Sequence, residues 1–403
     1  MAVALQAPTH LAPVQGIRLS TCAAGIRYRE RDDLLLIDAG PDAAVAALFT
    51  RNAFCAAPVQ VAREHLAKGR PRWLLINAGN ANAGTGRAGL EAARATCAAL
   101  GRTLDAPAEA VLPFSTGVIG EPLPVDRIEA ALPALAARLD PDGWMAAARA
   151  IMTTDTVLKG ASRTIALDGG TVTLTGIAKG SGMIHPDMAT MLAFLGTDAR
   201  LDADLFQELL AAAAECSFNA ITVDGDTSTN DALFGIASGA SGVTVQTVTD
   251  RDRFAQALNA LCLELAEAIV RDGEGATKFV RVTVRAARDR DEARRVAEAV
   301  ALSPLVKTAL FASDPNWGRI LAAVGRAGVE EFRIEEVQIT VNGVGIVSEG
   351  GRAPGYTEEA GQQAFGEAEL DIVIDLARGG AEYRKYTCDF SYDYVRINAD
   401  YRS

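Results

Sequence analysis

Histidine is scarce in this sequence, and its scarcity argues against several kinds of catalytic site. Three histidines, His10, His65 and His185, occur among 403 residues. None belongs to an H-E-x-x-H pattern, so a histidine-based metal site is not predicted. No serine lies in a G-x-S-x-G pattern, so a serine–histidine–aspartate triad lacks its nucleophile turn. We therefore expect no metal centre and no histidine-dependent serine nucleophile.

Paired cysteines and long apolar runs are also absent from the sequence. The six cysteines lie far apart without a C-x-x-C pair, which indicates neither a zinc ribbon nor a disulfide framework. No run reaches the roughly 18 apolar residues that a membrane span needs. No lysine or arginine precedes Arg18, and no apolar signal core is recognisable. We expect a cytoplasmic protein, or an organellar one only if a presequence has been removed.

The chain has little positive charge relative to its negative charge. It carries 39 basic and 51 acidic residues, a formal net charge of -12 and a pI near 4.9. Nucleic acids and anionic membranes repel such a surface unless a local basic patch intervenes. The densest group of arginines, in residues 285–295, is interleaved with aspartate and glutamate. We expect no nucleic-acid partner and no membrane partner.

The remaining composition is that of an ordinary globular protein. Hydrophobic residues make up 49% of the chain, charged residues 22%, and there are 37 glycines. A chain of this length exceeds the size at which one core usually keeps growing. We therefore predict two or more cores, or two lobes that share one extended sheet system.

Strand, loop and helix patterns alternate in the first half. Residues 72–77 predict a buried strand, followed by a polar loop at 78–86 and an amphipathic helix. The pattern recurs with a strand at 109–114, a turn at 115–120 and a helix at 125–139. Further predicted elements are a helix at 140–151 and a hairpin with strands at 163–167 and 171–177. Such alternation favours a layered α/β architecture.

The second half continues with helices and then becomes rich in strands. We predict helices at 203–216, 251–271 and 291–302, another that begins at Asn316-Trp317, and strands at 220–223, 279–284, 337–341, 344–347, 370–376 and 382–388. A polar loop occupies residues 224–231.

One glycine pattern suggests a cofactor site. Gly84, Gly86 and Gly89 satisfy G-x-G-x-x-G between a predicted strand and a predicted helix. A dinucleotide fingerprint turns directly out of its strand, whereas residues 78–83 separate these glycines from the strand end. The spacing therefore disfavours a nucleotide-binding oxidoreductase, which stays as a weaker alternative.

A second polar loop resembles a calcium site only at its start. Asp224, Asp226 and Ser228 have the spacing of the first ligands of a calcium loop. The glycine and the final glutamate of such a loop are missing, since the twelfth position is Gly235. We do not predict calcium binding here.

A central stretch, residues 179–192, reads KGSGMIHPDMATML. Its composition alone indicates a glycine-rich loop before an Ala-Thr junction and an apolar run. The stretch resembles the signature of the ornithine acetyltransferase family, the glutamate N-acetyltransferases of arginine biosynthesis. Further similar segments are residues 49–52, 77–86, 115–120, 152–156, 223–231, 314–320 and 397–403.

The resemblance implies that the protein cleaves itself between Ala189 and Thr190. An α chain of residues 1–189 and a β chain of residues 190–403 would then stay associated as one intertwined α/β unit, in an α2β2 assembly. The implied fold is a layered αββα-like sandwich, similar to that of self-processing aminopeptidases, with a β-rich C-terminal part. The implied reaction uses no cofactor.

The implied nucleophile is the hydroxyl of Thr190. It would take the acetyl group from N-acetylornithine, release ornithine and pass the acetyl group to glutamate. A threonine hydroxyl needs a nearby base, and cleavage would expose the α-amine of the same residue, with an unperturbed pKa of about 7.7–8.0. The sequence leaves open whether acetyl-CoA also serves as an acetyl donor.

The resemblance also assigns supporting roles to other residues. It implies that Thr116 and Gly117, which we predict in a strand-to-helix turn, stabilise the oxyanion. Substrate contacts fall to Thr153, Lys179, Thr190, Glu274, Asn398 and Ser403. The positive charge of Lys179 can pair with the α-carboxylate that both substrates share. The carboxylate of Glu274 or of Ser403 can pair with the δ-ammonium of ornithine.

A hydrolase is the alternative from a different class of enzyme. An N-terminal-nucleophile amidohydrolase or aminopeptidase would use the same Thr190 and pass the acyl group to water. Addition of glutamate distinguishes the two functions, because only the transferase makes N-acetylglutamate.

Overall fold

The computed structural model describes residues 2–185 and 191–400, which divide into two compact units. The larger unit consists of Gln6–Asn219 and Asp226–Ile269. The smaller unit consists of the described residues up to Leu5, Ala220–Gly225 and the described part of Val270–Ser403. Each unit has its own hydrophobic core, so the predicted division into more than one core is confirmed.

The larger unit contains two sheets and the helices that cover them. Its elements are β1 (Arg18–Cys22), β2 (Leu34–Asp38), β3 (Ala44–Phe49), α1 (Ala57–Lys68), β4 (Trp73–Asn80), α2 (Gly86–Leu104), β5 (Val111–Val118), α3 (Val125–Ala136), α4 (Trp144–Ala150), β6 (Lys159–Leu167), β7 (Gly170–Lys179), β8 (Leu192–Thr197), α5 (Ala203–Cys216), β9 (Ala232–Ala237) and α6 (Val248–Arg271). The first sheet has the order β1-β2-β4-β5, and the second has the order β3-β9-β8-β7-β6.

The two sheets pack face to face through large apolar side chains. The ring of Phe114 on β5 meets Phe194 on β8 edge-on at 5.2 Å between centroids, and Phe234 on β9 at 5.7 Å. Edge-to-face contacts of this kind are favourable beyond the area that they bury. Leu35, Ile37, Leu74 and Ile76 of the first sheet and Ile177, Leu192 and Ile236 of the second complete this inner core.

Helices cover the outer face of each sheet in the larger unit. On the first sheet, α2 and α3 contribute Cys97, Leu100, Ile128 and Leu132 to a second core. On the second sheet, α5 places Phe206 against Gly235, and α6 places Leu261 and Leu265 against Gly176. The order helix, sheet, sheet, helix confirms the expected αββα sandwich.

The contact between α5 and the second sheet leaves no room for a methyl group on β9. A Cβ added to Gly235 would lie 2.6 Å from Cζ of Phe206. We expect the Gly235→Ala variant to lose about 1–3 kcal/mol of unfolding free energy through overpacking, measured by urea denaturation. The second change Phe206→Leu should recover part of that loss. Unchanged stability of Gly235→Ala would contradict this packing.

The smaller unit is one sheet covered by helices. Its elements are β10 (Phe279–Ala287), α7 (Arg290–Ala301), α8 (Pro304–Phe311), α9 (Trp317–Gly325), β11 (Gln338–Val341), β12 (Val344–Ser348), β13 (Gly351–Arg352), α10 (Glu358–Gly366), β14 (Glu369–Asp375), β15 (Ala381–Cys388) and α11 (Tyr392–Ala399). The sheet order is β13-β12-β11-β14-β10-β15. Alternate residues of β10, Val280, Val282 and Val284, lie in one core with Val296 of α7 and Ile320 of α9. The predicted β-rich C-terminal part is confirmed.

Several element boundaries differ from the sequence prediction. The strand predicted at residues 220–223 is wrong, because Phe218–Ala220 forms a 3-10 turn and Ile221 makes an isolated bridge to Tyr386. The strands β8 and β9 were not predicted, since they are short apolar runs without alternation. No helix in the described part of the chain is both long enough and apolar enough to cross a membrane.

Candidate active site

The β6–β7 hairpin ends at one edge of the second sheet, where Lys179 is the last residue of β7. Gly170 begins β7 with a φ of 139°, a conformation that glycine adopts most readily. At the other end of the strand, Lys179 pairs with Leu192 of β8, and Leu192 pairs with Ala232 of β9. The hairpin therefore places Lys179 beside the first residues of two neighbouring strands.

Lys179 reaches across the sandwich to the first sheet. Its Nζ donates a hydrogen bond to Oγ1 of Thr116 on β5 at 3.1 Å. Both residues are 8% exposed, so the contact is largely shielded from water. An ammonium group in such surroundings interacts more strongly with a nearby negative charge than it would in bulk water. The contact joins two predicted site residues that are 63 positions apart.

Thr116 and Gly117 lie in a strand, and their prediction in a turn is wrong. β5 continues to Val118, and Gly117 pairs with Gly79 of β4. Gly117 has a φ of 133°, and an added Cβ would lie 2.2 Å from the carbonyl carbon of Gly79. The parallel ladder therefore persists because two glycines let the backbones of β4 and β5 approach closely.

Asparagine side chains link the ends of β4 and β5 just before Thr116. Asn77 Nδ2 donates to the Asn80 carbonyl at 2.8 Å, and Ser115 Oγ donates to Asn77 Oδ1 at 2.6 Å. All three residues are buried. Hydrogen bonds within such a buried network restrict the backbone that carries them. The polar stretch after residue 77 therefore supports the strand ends.

The last glycine of the G-x-G-x-x-G pattern, Gly89, serves close packing in the same region. Asn82 Nδ2 donates to the Gly89 carbonyl at 2.9 Å, and Asn82 Oδ1 accepts from Thr85 Oγ1 at 3.0 Å. A Cβ on Gly89 would lie 1.9 Å from Thr85 Oγ1. These contacts account for Gly89 without a bound phosphate.

Thr153 lies in the segment between α4 and β6, beside a buried carboxylate. Its backbone N–H donates to Oδ2 of Asp155 at 3.0 Å. Oδ1 of Asp155 accepts from Lys159 Nζ at 2.7 Å and from the Gly180 N–H at 2.8 Å. Burial alone would raise the pKa of Asp155, but the ammonium groups of Lys159 and Lys179 hold it well below its usual range. Asp155 is therefore an anion at neutral pH.

The pKa of a second buried carboxyl group, that of Asp231, is shifted in the opposite direction. It immediately precedes β9 and is 2% exposed, and its Oδ2 has no hydrogen-bond partner among the described residues. Burial raises the pKa of Asp231 well above its usual value, and Ser228, Lys179 and Thr50 offset this only in part. The pKa values of two aspartates that interact with Lys179 are thus shifted in opposite directions.

Two further predicted site residues lie in the smaller unit and contact each other. Asn398 of α11 donates from Nδ2 to Oε2 of Glu274 at 2.9 Å. Glu274 is 6% exposed, in the turn between α6 and β10. Ser391 Oγ donates to the carbonyl of Gly275 at 2.6 Å and fixes this turn against the start of α11.

Three predicted site residues, Ala189, Thr190 and Ser403, lie outside the described residues. The described chain resumes at Met191, whose carbonyl accepts a hydrogen bond from the Ala232 N–H at 2.9 Å. Among residues 2–185 and 191–400, no group of three or more histidine, cysteine, aspartate or glutamate side chains is arranged to hold a metal ion.

Sequence reasoning missed Asp155, Lys159 and Asp231. Asp155 and Lys159 have the i, i+4 spacing of an ion pair, which is a weak signal outside a helix. Asp155 also lies two residues after Thr153 in a segment that carries the family resemblance. Asp231 ends a polar loop that is rich in aspartate, and nothing local marks it as buried.

The structure is therefore an αββα sandwich of the α/β class, which buries a lysine ammonium against a threonine hydroxyl beside a glycine with positive φ. A family model described as the ArgJ family matches residues 18–403. The chain belongs to the ArgJ family, and the resemblance found in the sequence is confirmed.

Several individual proteins are similar to this chain. The "arginine biosynthesis bifunctional protein ArgJ" of Methylococcus capsulatus is 57% identical over 98% of this chain and 97% of its own length. A crystal structure of the protein of the same name from Bacillus halodurans is 40% identical, covers 50% of this chain and 95% of its own, and has a TM-score of 0.48. The ornithine acetyltransferase of Mycobacterium tuberculosis, solved with ornithine, is 38% identical over 44% of this chain and 94% of its own, with a TM-score of 0.41.

Proposed function

We propose that the protein is a glutamate N-acetyltransferase that transfers the acetyl group of N-acetylornithine to glutamate. The observation that carries the proposal is the hydrogen bond of 3.1 Å between Lys179 and Thr116, next to Gly117. It brings a cation suited to a carboxylate ligand next to a hydroxyl suited to a developing oxyanion. Membership of the ArgJ family, which supplies the pathway, supports the same reaction.

The proposed reaction has two half-reactions that share one acetyl-enzyme. After cleavage between Ala189 and Thr190, the Thr190 α-amine takes the hydroxyl proton as the oxygen attacks the acetyl carbonyl. The C–N bond of N-acetylornithine breaks, and ornithine leaves with a proton. The amine of glutamate then attacks the acetyl ester and gives a proton to the Thr190 α-amine, the C–O bond breaks, and the α-amine passes that proton to the Thr190 oxygen. Each half-reaction uses the same nucleophile and the same base.

Thr116 and Gly117 have the electrostatic role in this scheme. A hydroxyl and a backbone N–H next to each other in β5 can both donate to the oxyanion of each tetrahedral intermediate. Loss of one such donor typically costs on the order of 2.7–4 kcal/mol in the barrier. The Lys179 ammonium, which donates to the same hydroxyl, adds positive charge at this position.

We also propose the substrate contacts and the assembly that the resemblance implies. Lys179 binds the α-carboxylate of each substrate, and Thr153, Glu274, Asn398 and Ser403 contribute further contacts. Residues 1–189 and 190–403 remain associated after cleavage in an α2β2 assembly in the cytoplasm. The extensive pairing of β7, before the cleavage position, with β8, after it, supports this association. Whether acetyl-CoA also donates the acetyl group stays open.

The proposed function predicts transfer to glutamate. With N-acetylornithine labelled in the acetyl group, we expect labelled N-acetylglutamate to form only when glutamate is present, at a rate that exceeds the release of acetate. The products are separated by chromatography and counted. Labelled acetate at the same rate with and without glutamate would establish the hydrolase alternative.

A further inference from the structure

The buried Asp155 connects two segments that carry proposed substrate contacts. Its Oδ2 accepts the backbone N–H of Thr153 at 3.0 Å, and its Oδ1 accepts the backbone N–H of Gly180 at 2.8 Å. Thr153 is itself a proposed substrate contact, and Gly180 directly follows Lys179. One carboxylate therefore fixes the backbone of the first segment relative to the end of β7.

The Gly180 N–H lies just beyond the regular ladder of the second sheet. The pairing between β7 and β8 ends with Lys179 and Leu192. A buried N–H beyond that point needs another acceptor, since an unsatisfied one is costly. Asp155 supplies the acceptor, and it thereby holds the backbone next to Lys179 in one position.

Lys159 keeps this carboxylate ionised inside the protein. Its Nζ is 2.7 Å from Asp155 Oδ1, and both side chains are fully buried. The charged and titratable groups that act on Asp155 are Lys159 and Lys179, while Asp231 also interacts with Lys179. Burial raises the pKa of Asp231 and disfavours its anion, so Asp155 is the main carboxylate that opposes the two lysine ammonium groups at the end of the sheet. Such a cluster suits a ligand carboxylate.

We infer that Asp155 is a positioning residue, which acts through Lys179 and Thr153 to hold them in the geometry that binds the carboxylate shared by both amino-acid substrates. Asp155 itself does not touch the substrate. The inference rests on the proposed function, because Asp155 sets the geometry of the same proposed substrate site.

The first test compares two aspartate-to-asparagine variants. Asp155→Asn should raise the KM of both N-acetylornithine and glutamate on the order of 10–100-fold, with a smaller change in kcat, because the binding groups are displaced. Asp198→Asn is the matched control. Asp198 is also buried and its Oδ1 accepts the Thr173 N–H at 2.7 Å, near the opposite end of β7. Asp198→Asn should leave both KM values within about twofold of the wild type. Rates are normalised to the cleaved fraction on a denaturing gel.

A double-mutant cycle with Lys179→Met separates positioning from a general structural role. If Asp155 acts through Lys179, Asp155→Asn should lower kcat/KM by less than about threefold in the Lys179→Met background. An equal decrease in both backgrounds, or unchanged KM values in a folded Asp155→Asn variant, would overturn the inference. If circular dichroism shows Asp155→Asn to be unfolded, the same cycle is carried out with Asp155→Asn and Lys159→Met together, which removes the Lys159 ammonium along with the carboxylate that it pairs with. Failure of the wild type to form N-acetylglutamate would instead refute the proposed function.

Discussion

We expect the Thr190→Ala variant to remain a single chain of 42.2 kDa and to transfer no acetyl group above background. The change removes the hydroxyl that is proposed both to cut the Ala189–Thr190 bond and to carry the acetyl group. Without cleavage, the α-amine that serves as the base is never exposed. Removal of a nucleophile with its base typically lowers kcat on the order of 10⁴-fold or more. Denaturing electrophoresis, N-terminal sequencing and the labelled-acetyl assay measure both effects.

Thr190→Ser is the matched control for this experiment. Serine retains a hydroxyl and an α-amine, so the variant should yield two chains, each about half of the 42.2 kDa, with the second beginning at the introduced serine. Cleaved Thr190→Ala, or wild-type transfer by its uncleaved chain, would rule out the proposed nucleophile.

The second large effect is expected for Gly117→Ala. A Cβ at this position would lie 2.2 Å from the carbonyl carbon and 2.6 Å from the backbone nitrogen of the adjacent Gly79-Asn80 peptide, at a φ of 133°. Backbone atoms cannot move aside as the tip of a side chain can, so β4 and β5 must separate. We expect kcat to fall on the order of 10²–10³-fold through displacement of the oxyanion donors. The unfolding free energy should fall by about 1–3 kcal/mol or more.

Gly325→Ala provides the control for Gly117→Ala. Gly325 ends α9, and a Cβ there would meet no atom within 4 Å. The change should preserve activity and raise stability by about 0.4–1 kcal/mol, because alanine restricts the unfolded chain. Steady-state kinetics and urea denaturation of both variants test the pair. Gly117→Ala with wild-type kcat and stability would refute the role given to this glycine.

Part of the proposed site could be predicted from the sequence because the signals there are local. Lys179 lies in a long motif that resembles a known family, and Thr116 and Gly117 lie in a second one. The role of Gly117 was harder to predict, because its partner Gly79 is contributed by another strand. A turn at residues 115–120 was a reasonable interpretation of a polar, glycine-containing segment, yet parallel pairing with β4 extends the strand through Val118.

The two buried aspartates show why the rest of the site could not be predicted. Asp155 and Asp231 are the same residue type in similar polar segments. Two buried ammonium groups lower the pKa of the first, whereas burial dominates and raises that of the second. Burial and the distance to Lys179 depend on residues that are remote in sequence, so neither pKa shift is visible in a local pattern.

By itself, the sequence determined the family, the alternation of strands and helices that leads to a layered α/β fold, and the stretch in which the nucleophile is proposed. Apolar periodicity and motif spacing carry that information because they are visible within a few helical turns or a single strand. Only the tertiary structure decided that Thr116 meets Lys179 and that Asp155 joins Thr153 to Gly180. The first contact follows from the packing of the two sheets against each other, and the second from the pairing of β6 with β7, so both depend on groups that are far apart in sequence.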